Sequence, residues 1–112
     1  MPLVNVKYTL ELDATVNIHH LKFANKSINK ENDKKGSNYE GIVEEVGADD
    51  TLAVDLLLTG SAGVWILKVW VCELDEHGNE TSWKPLKANG SNQFKDNIKT
   101  KNNLDGEFEI NW

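Results

Sequence analysis

Arginine is missing from this chain, and the twelve basic residues are all lysines. Recognition of DNA or RNA rests on phosphate neutralisation, with Arg as the usual bidentate reader of phosphate and guanine. An Arg-free chain with a net charge of −6 is poorly suited to that task and to tight docking on an anionic membrane surface. A single cysteine, Cys72, rules out an intramolecular disulfide, the staple typical of small secreted domains. No apolar run reaches the length of a membrane span. The opening residues, 1–13, lack the basic start and apolar run of a secretory leader. The expectation is a cytoplasmic protein, or one exported without such a leader. None of the G-x-S-x-G, P-loop, HExxH and CxxC motifs occurs, which removes the sequence grounds for the commonest catalytic and metal chemistries.

What is present is ordinary globular composition, 39% hydrophobic and 27% charged over 112 residues, enough for one core and one domain spanning 1–112. Strict alternation dominates. Val4, Val6, Tyr8, Leu10 and Leu12 fall on one face of a strand, with Asn5, Lys7, Thr9 and Glu11 on the other. Ala14, Val16 and Ile18 continue on an inward face, then the apolar set shifts to Leu21 and Phe23. A slip of one residue marks a β-bulge at His19-His20. Residues 24–38 are polar and read as a long loop with one helical turn, followed by a short strand from Tyr39 to Val46 and a turn at Gly47–Asp50.

The middle of the chain predicts a hairpin over 51–74. A four-residue loop at 60–63 sets Leu58 against Trp65, Leu56 against Leu67, Val54 against Val69 and Leu52 against Val71. The same register puts Asp55 opposite Lys68, a favourable cross-strand charge pair. A second turn follows at Asp75–Glu80, where Gly78 and Asn79 tolerate positive φ, with a return strand from Thr81 to Leu86 and an edge position marked by Pro85. Residues 87–104 read as polar and irregular, with Phe94 and Ile98 as isolated anchors. Leu104-Asp105-Gly106 reads as a turn before a last strand in which Phe108, Ile110 and Trp112 alternate with polar residues. About seven strands and no amphipathic helix imply an all-β fold, an antiparallel β-sandwich of immunoglobulin-like or jelly-roll-like type.

Four tryptophans stand out: Trp65, Trp70, Trp83 and Trp112. Alternation puts Trp65 in the core and Trp70 on the opposite face. Under the predicted hairpin that second face gathers Ala53, Leu57, Val64, Ile66, Trp70, Cys72 and Trp83, with Lys68 among them. So apolar a face is either a second core or a binding surface, because Trp is enriched at interface hot spots. The candidate binding residues are therefore Trp70, Trp83, Lys68, Ile66 and Leu57.

Other constellations carry less. His19 and His20 are adjacent in a strand and point to opposite faces, which is a poor start for a zinc site. The segment Asp75–Glu80 resembles a calcium loop only loosely, since Gly78 precedes Asn79 and the D-x-[DN]-x-[DN]-G spacing is absent. Cys72 lies in an apolar strand, where thiols serve as packing groups. Three N-x-[ST] triplets begin at Asn25, Asn79 and Asn89, as expected by chance in so Asn-rich a chain. No cofactor or metal is implied. The function expected is that of a non-enzymatic recognition or assembly module for a protein partner, a glycan or itself. The alternative is a small lipid-binding or toxin-like sandwich with interfacial tryptophans.

Overall fold

A computed structural model describes residues 3–60, 62–86, 93–98 and 101–110. Ten strands appear among the described residues: β1 Leu3–Leu12, β2 Val16–Phe23, β3 Lys26–Ser27, β4 Lys34–Lys35, β5 Asn38–Gly47, β6 Thr51–Gly60, β7 Gly63–Leu74, β8 Glu80–Pro85, β9 Gln93–Ile98 and β10 Lys101–Glu109. One helical turn, α1 Lys30–Asp33, precedes β4. Sheet A has the order β4-β5-β1-β7-β8, with β9 also on β7, and sheet B has the order β10-β6-β2-β3. All pairings between named strands are antiparallel. The fold is thus all-β, but the expected seven strands become ten. Two of the additions, β3 and β4, are two residues long. The third, β9, lies in the segment read as irregular, where Phe94 is buried and pairs in register with Leu67. Residues 87–92, 99–100 and 111–112, with Asn89 and Trp112, lie outside the described residues.

The alternation reading holds for β1, β6 and β7, whereas Ala14, read as inward with Val16 and Ile18, is exposed in the turn before β2. Val4, Val6, Tyr8, Leu10 and Leu12 of β1, Leu52, Val54, Leu56 and Leu58 of β6, and Trp65, Leu67, Val69 and Val71 of β7 are all buried in one core cluster. The bulge in β2 is also present, since the register against β6 shifts between Ile18 and His20.

The predicted hairpin over 51–74 does not form. β6 and β7 belong to different sheets, so the chain crosses in an arch from sheet B to sheet A between Gly60 and Gly63. Asp55 instead stands in register with Lys22 and Asp105, and Lys68 with Thr9 and Gln93. The physical reason is burial. In a hairpin the two apolar stripes would share one face of one sheet and need a further layer to cover them. In an arch the Leu52–Leu58 stripe and the Trp65–Val71 stripe lie on separate sheets and cover a common core.

The connections β1–β2 and β9–β10 cross between the sheets at the same end. Leu12 stands opposite Trp65 and Val16 opposite Gly60, while Gly63 stands opposite Ile98 and Lys101 opposite Thr59. The first two arches are locked together. Val64 N–H donates to Asp13 Oδ2 at 2.8 Å, Asp13 N–H donates to the Val64 carbonyl at 3.2 Å, and the Thr15 hydroxyl donates to the Ala62 carbonyl. A Cβ on Gly60 would lie 2.5 Å from the Thr15 carbonyl oxygen, and one on Gly63, where φ is +155°, 2.7 Å from Val16 Cγ2. Only glycine permits this approach.

The polar segment after β2 is more structured than a loop. Ile28 is buried, and Asn29 caps α1 by accepting from Asn32 N–H at 3.1 Å. Tyr8, fully buried, donates its hydroxyl to Asp33 Oδ2 at 2.7 Å. The Asp33 carboxylate sits so close over Gly41 that a Cβ there would lie 2.5 Å from it. Lys30 and Lys26, read from sequence as loop lysines, donate to backbone carbonyls instead: Lys30 to His19 at 3.0 Å, Lys26 to Glu44 at 2.7 Å and to Glu45 at 3.2 Å. The two carbonyls that accept from Lys26 belong to a bulge in β5, where Glu45 has φ +54° and its N–H donates to Asn5 Oδ1 at 3.1 Å. The turn after β7 forms as predicted. Asp75 Oδ1 accepts from His77 N–H and Asn79 N–H, both at 2.9 Å, and Gly78 has φ +80°. The Leu104-Asp105-Gly106 turn does not form; these residues continue β10 against Leu56, Asp55 and Val54.

Two outcomes follow. Gly60→Ala drives a methyl into a fixed carbonyl and should cost about 1–3 kcal/mol. Gly106→Ala, whose Cβ would meet the Phe108 ring at an ordinary 3.5 Å, should stay within about 0.5 kcal/mol of the parent. Urea melts of the two variants check this. Burial, reinforced by the Asp33 carboxylate to which it donates, pushes the Tyr8 hydroxyl well above the usual phenol range. The unfolded chain therefore releases this proton above pH ~10 while the folded chain keeps it, so stability falls by about 1.4 kcal/mol per pH unit there. Below pH ~10 this contribution is constant. Tyr8→Phe should remove that slope, and parallel melts of parent and variant between pH 9 and 11 measure it.

Candidate functional site

The outward positions of sheet A follow from its inward ones. Because Val6, Tyr8 and Leu10 point into the core, Lys7, Thr9 and Glu11 point out; because Leu67, Val69 and Val71 point in, Ile66, Lys68 and Trp70 point out. The register then sets Lys7 beside Trp70, Thr9 beside Lys68, and Asn5 beside Cys72. On the far edge of β7 it sets Trp83 beside Cys72, Pro85 beside Trp70, Gln93 beside Lys68 and Lys95 beside Ile66. On the other side of β1, Ile42 stands beside Lys7 and is 50% exposed.

The centre of this face is an aromatic–cation cluster. The Lys7 ammonium lies 4.7 Å from the centroid of the Trp83 ring and 5.2 Å from that of Trp70. Both rings are half-buried. A lysine over two indoles is held by the negative face of each ring, and this fixes the two Trp side chains relative to β1. Two open grooves adjoin it. One, of about 310 Å3, is lined by Thr9, Glu11, Lys35, Glu40 and Lys68 among others; the second, of about 300 Å3, by Lys7, Thr9, Lys35, Glu40 and Ile42 among others. Lys35 Nζ lies 4.0 Å from Glu40 Oε1, an exposed and weak pair.

The two ends of this face differ. Toward Trp83 it is closed: Cys72 points outward yet is fully buried, and Asn5, 8% exposed, donates to Glu80 Oε2 at 2.9 Å. Toward Ile66 and Ile42 it is open. Four of the five candidate binding residues, Trp70, Trp83, Lys68 and Ile66, gather here. Leu57 does not. It lies on the outer face of sheet B, beside His20 and Asn103, and Ala53 shares that face. The misplacement follows directly from the hairpin that became an arch. Lys7 was missed, because alternation shows only that it points outward; its place beside Trp70 needs the β1–β7 pairing.

The outer face of sheet B has a different character. Asp55 lies directly across from Asp105, and Asp105, Glu107 and Glu109 follow at alternate positions along β10. Asp55 is relieved by His20, whose Nε2 is 2.8 Å from its Oδ1. Among the described residues no group of three or more His, Cys, Asp or Glu side chains is placed to hold a metal ion. No helix among them is long and apolar enough to cross a membrane. Comparison with protein-family models, with curated proteins and with solved structures finds no match to this chain.

Proposed function

We propose that this chain is a non-enzymatic recognition module, a two-sheet β-sandwich that docks a protein through the outer face of sheet A. The observation that carries the reading is the Lys7 ammonium seated over Trp70 and Trp83, beside the end of the sheet that is open at Ile42 and Ile66. Indoles held in place by packing lose little side-chain entropy on binding, which is what makes Trp effective at interfaces. The face pairs these rings with exposed Ile42 and with Lys68, an apolar centre with polar neighbours, as protein interfaces have. A glycan is the weaker candidate, since a sugar stacking on these rings would have to displace Lys7. A lipid surface is weaker again, because half-buried rings beneath an ammonium offer little to a bilayer interface.

A photo-crosslinking amino acid tests the proposal in the cells that make the protein. Placed at Ile66, it should give discrete protein adducts; placed at His77, in an exposed turn, it should give none. Lys7→Ala and Trp70→Ala should each reduce the Ile66 adducts at least about tenfold, a loss worth ~1.4 kcal/mol, while the variants still fold. Truncating Trp70 should cost less than the roughly 3–5 kcal/mol of a fully buried aromatic. Adducts equally strong at His77, or adducts indifferent to Lys7 and Trp70, would count against this face.

A further inference from the structure

The two outer faces of the molecule match each other in charge and spacing. On sheet A, Thr9 stands opposite Lys68 and Ile66 opposite Lys95, so Lys7, Lys68 and Lys95 form a diagonal line across β1, β7 and β9. Diagonal neighbours on adjacent strands are about 7–8 Å apart. On sheet B, Asp105, Glu107 and Glu109 project from one side of β10 at steps of about 6.8 Å, two residues of extended strand. Three ammoniums thus match three carboxylates in spacing. Next to the acids, Ala53 and Leu57 of β6 offer apolar ground for Ile66 and Trp70. No ion pair or hydrogen bond engages Lys68 or Lys95 among the described residues.

We infer that the protein docked on the outer face of sheet A is a second copy of this chain, presenting the acidic outer face of its sheet B. The inference rests on the reading of that face as a docking surface and names its occupant. Net charge explains the orientation. At −6 overall, two copies repel in most arrangements, and the lysine diagonal is a local reversal of sign. Setting the lysine diagonal of sheet A against the β10 acids of sheet B brings opposite charges together. Because the two faces lie on opposite sides of one molecule, the contact is heterologous and does not close, so copies stack into a row rather than a two-fold dimer. Attraction carried by exposed charges weakens with salt.

Light scattering on the purified chain tests this. At about 20 mM NaCl the weight-average mass should climb with concentration past that of a dimer without a plateau, and fall back to the monomer at about 500 mM. Lys68→Gln with Lys95→Gln removes the cationic face, and Asp105→Asn with Glu107→Gln removes the acidic one; all four positions are on the surface, and thermal melts confirm folding. Each double variant alone should remain a monomer. Mixed in equal amounts, they retain one working face each and should form a one-to-one pair and nothing larger. A parent that stays monomeric at low salt, a plateau at the dimer, or variants that fail to pair would overturn the inference. If a different protein crosslinks at Ile66 while the parent stays monomeric, self-docking fails and the recognition reading survives. If neither occurs, both fail.

Discussion

The architecture depends on one close approach, that of the Gly60–Gly63 arch to the Asp13–Val16 arch. Gly60 meets the Thr15 backbone, and Gly63 the Val16 and Asp13 side chains, at distances that leave no room for a Cβ, and the Asp13 carboxylate and Thr15 hydroxyl close the contact with hydrogen bonds. Because the chain changes sheets at this point, the leucine stripe of β6 and the Trp65–Val71 stripe of β7 sit on opposite walls of one core. The outer faces follow from the same crossing. What would have been one continuous apolar surface is divided between two sides of the molecule. One side keeps Trp70, Trp83, Lys7, Lys68 and Lys95; the other keeps Leu57, Ala53, Asp105, Glu107 and Glu109.

The edges are finished with charge. β2 is paired on one side along its length but on the other only by the two residues of β3. There Lys30 donates to the His19 carbonyl, and Lys26 donates to the two carbonyls of the β5 bulge. β10, the opposite edge of sheet B, carries an acid at every second position from Asp105 to Glu109. Such edges resist indiscriminate strand addition, which leaves the broad faces as the surfaces available to a partner. Inside, the polar groups are all met: no buried side-chain nitrogen or oxygen among the described residues lacks a hydrogen-bond partner. The Tyr8–Asp33 bond serves both ends. It satisfies a phenol in the core and anchors the one helical turn of an otherwise polar segment.

Much of the fold is legible in the sequence, and the pattern of failure is physical. Period-two alternation reports which side of a strand is buried, and it correctly assigns Val4 to Leu12, Leu52 to Leu58 and Trp65 to Val71. The slip at His19-His20 locates the β2 bulge, and Asp75 with Gly78 locates the turn after β7. Alternation cannot report the neighbour. A hairpin and an arch bury the same residues of β6 and β7, and the chance opposition of Asp55 and Lys68 favours the wrong one. β9 escapes because its two apolar residues, Phe94 and Ile98, are separated by three polar ones, so no alternation is visible. Gly106 suggests a turn where it is in fact tolerated inside a strand. Of the residues on the outer face of sheet A, Trp70, Trp83, Ile66 and Lys68 are assigned to a common face by alternation, Leu57 is lost to the arch, and Lys7 joins them only when β1 is placed beside β7.

Every later step rests on β7 lying between β1 and β9 rather than against β6. Cross-strand NOEs between backbone protons of the labelled protein test this directly. The account predicts contacts from Val69 to Tyr8 and from Leu67 to Phe94, with none between the backbones of Val69 and Val54. A Val69–Val54 backbone contact, accompanied by one between Asp55 and Lys68, would restore the hairpin and contradict both the shared core and the division of the two faces.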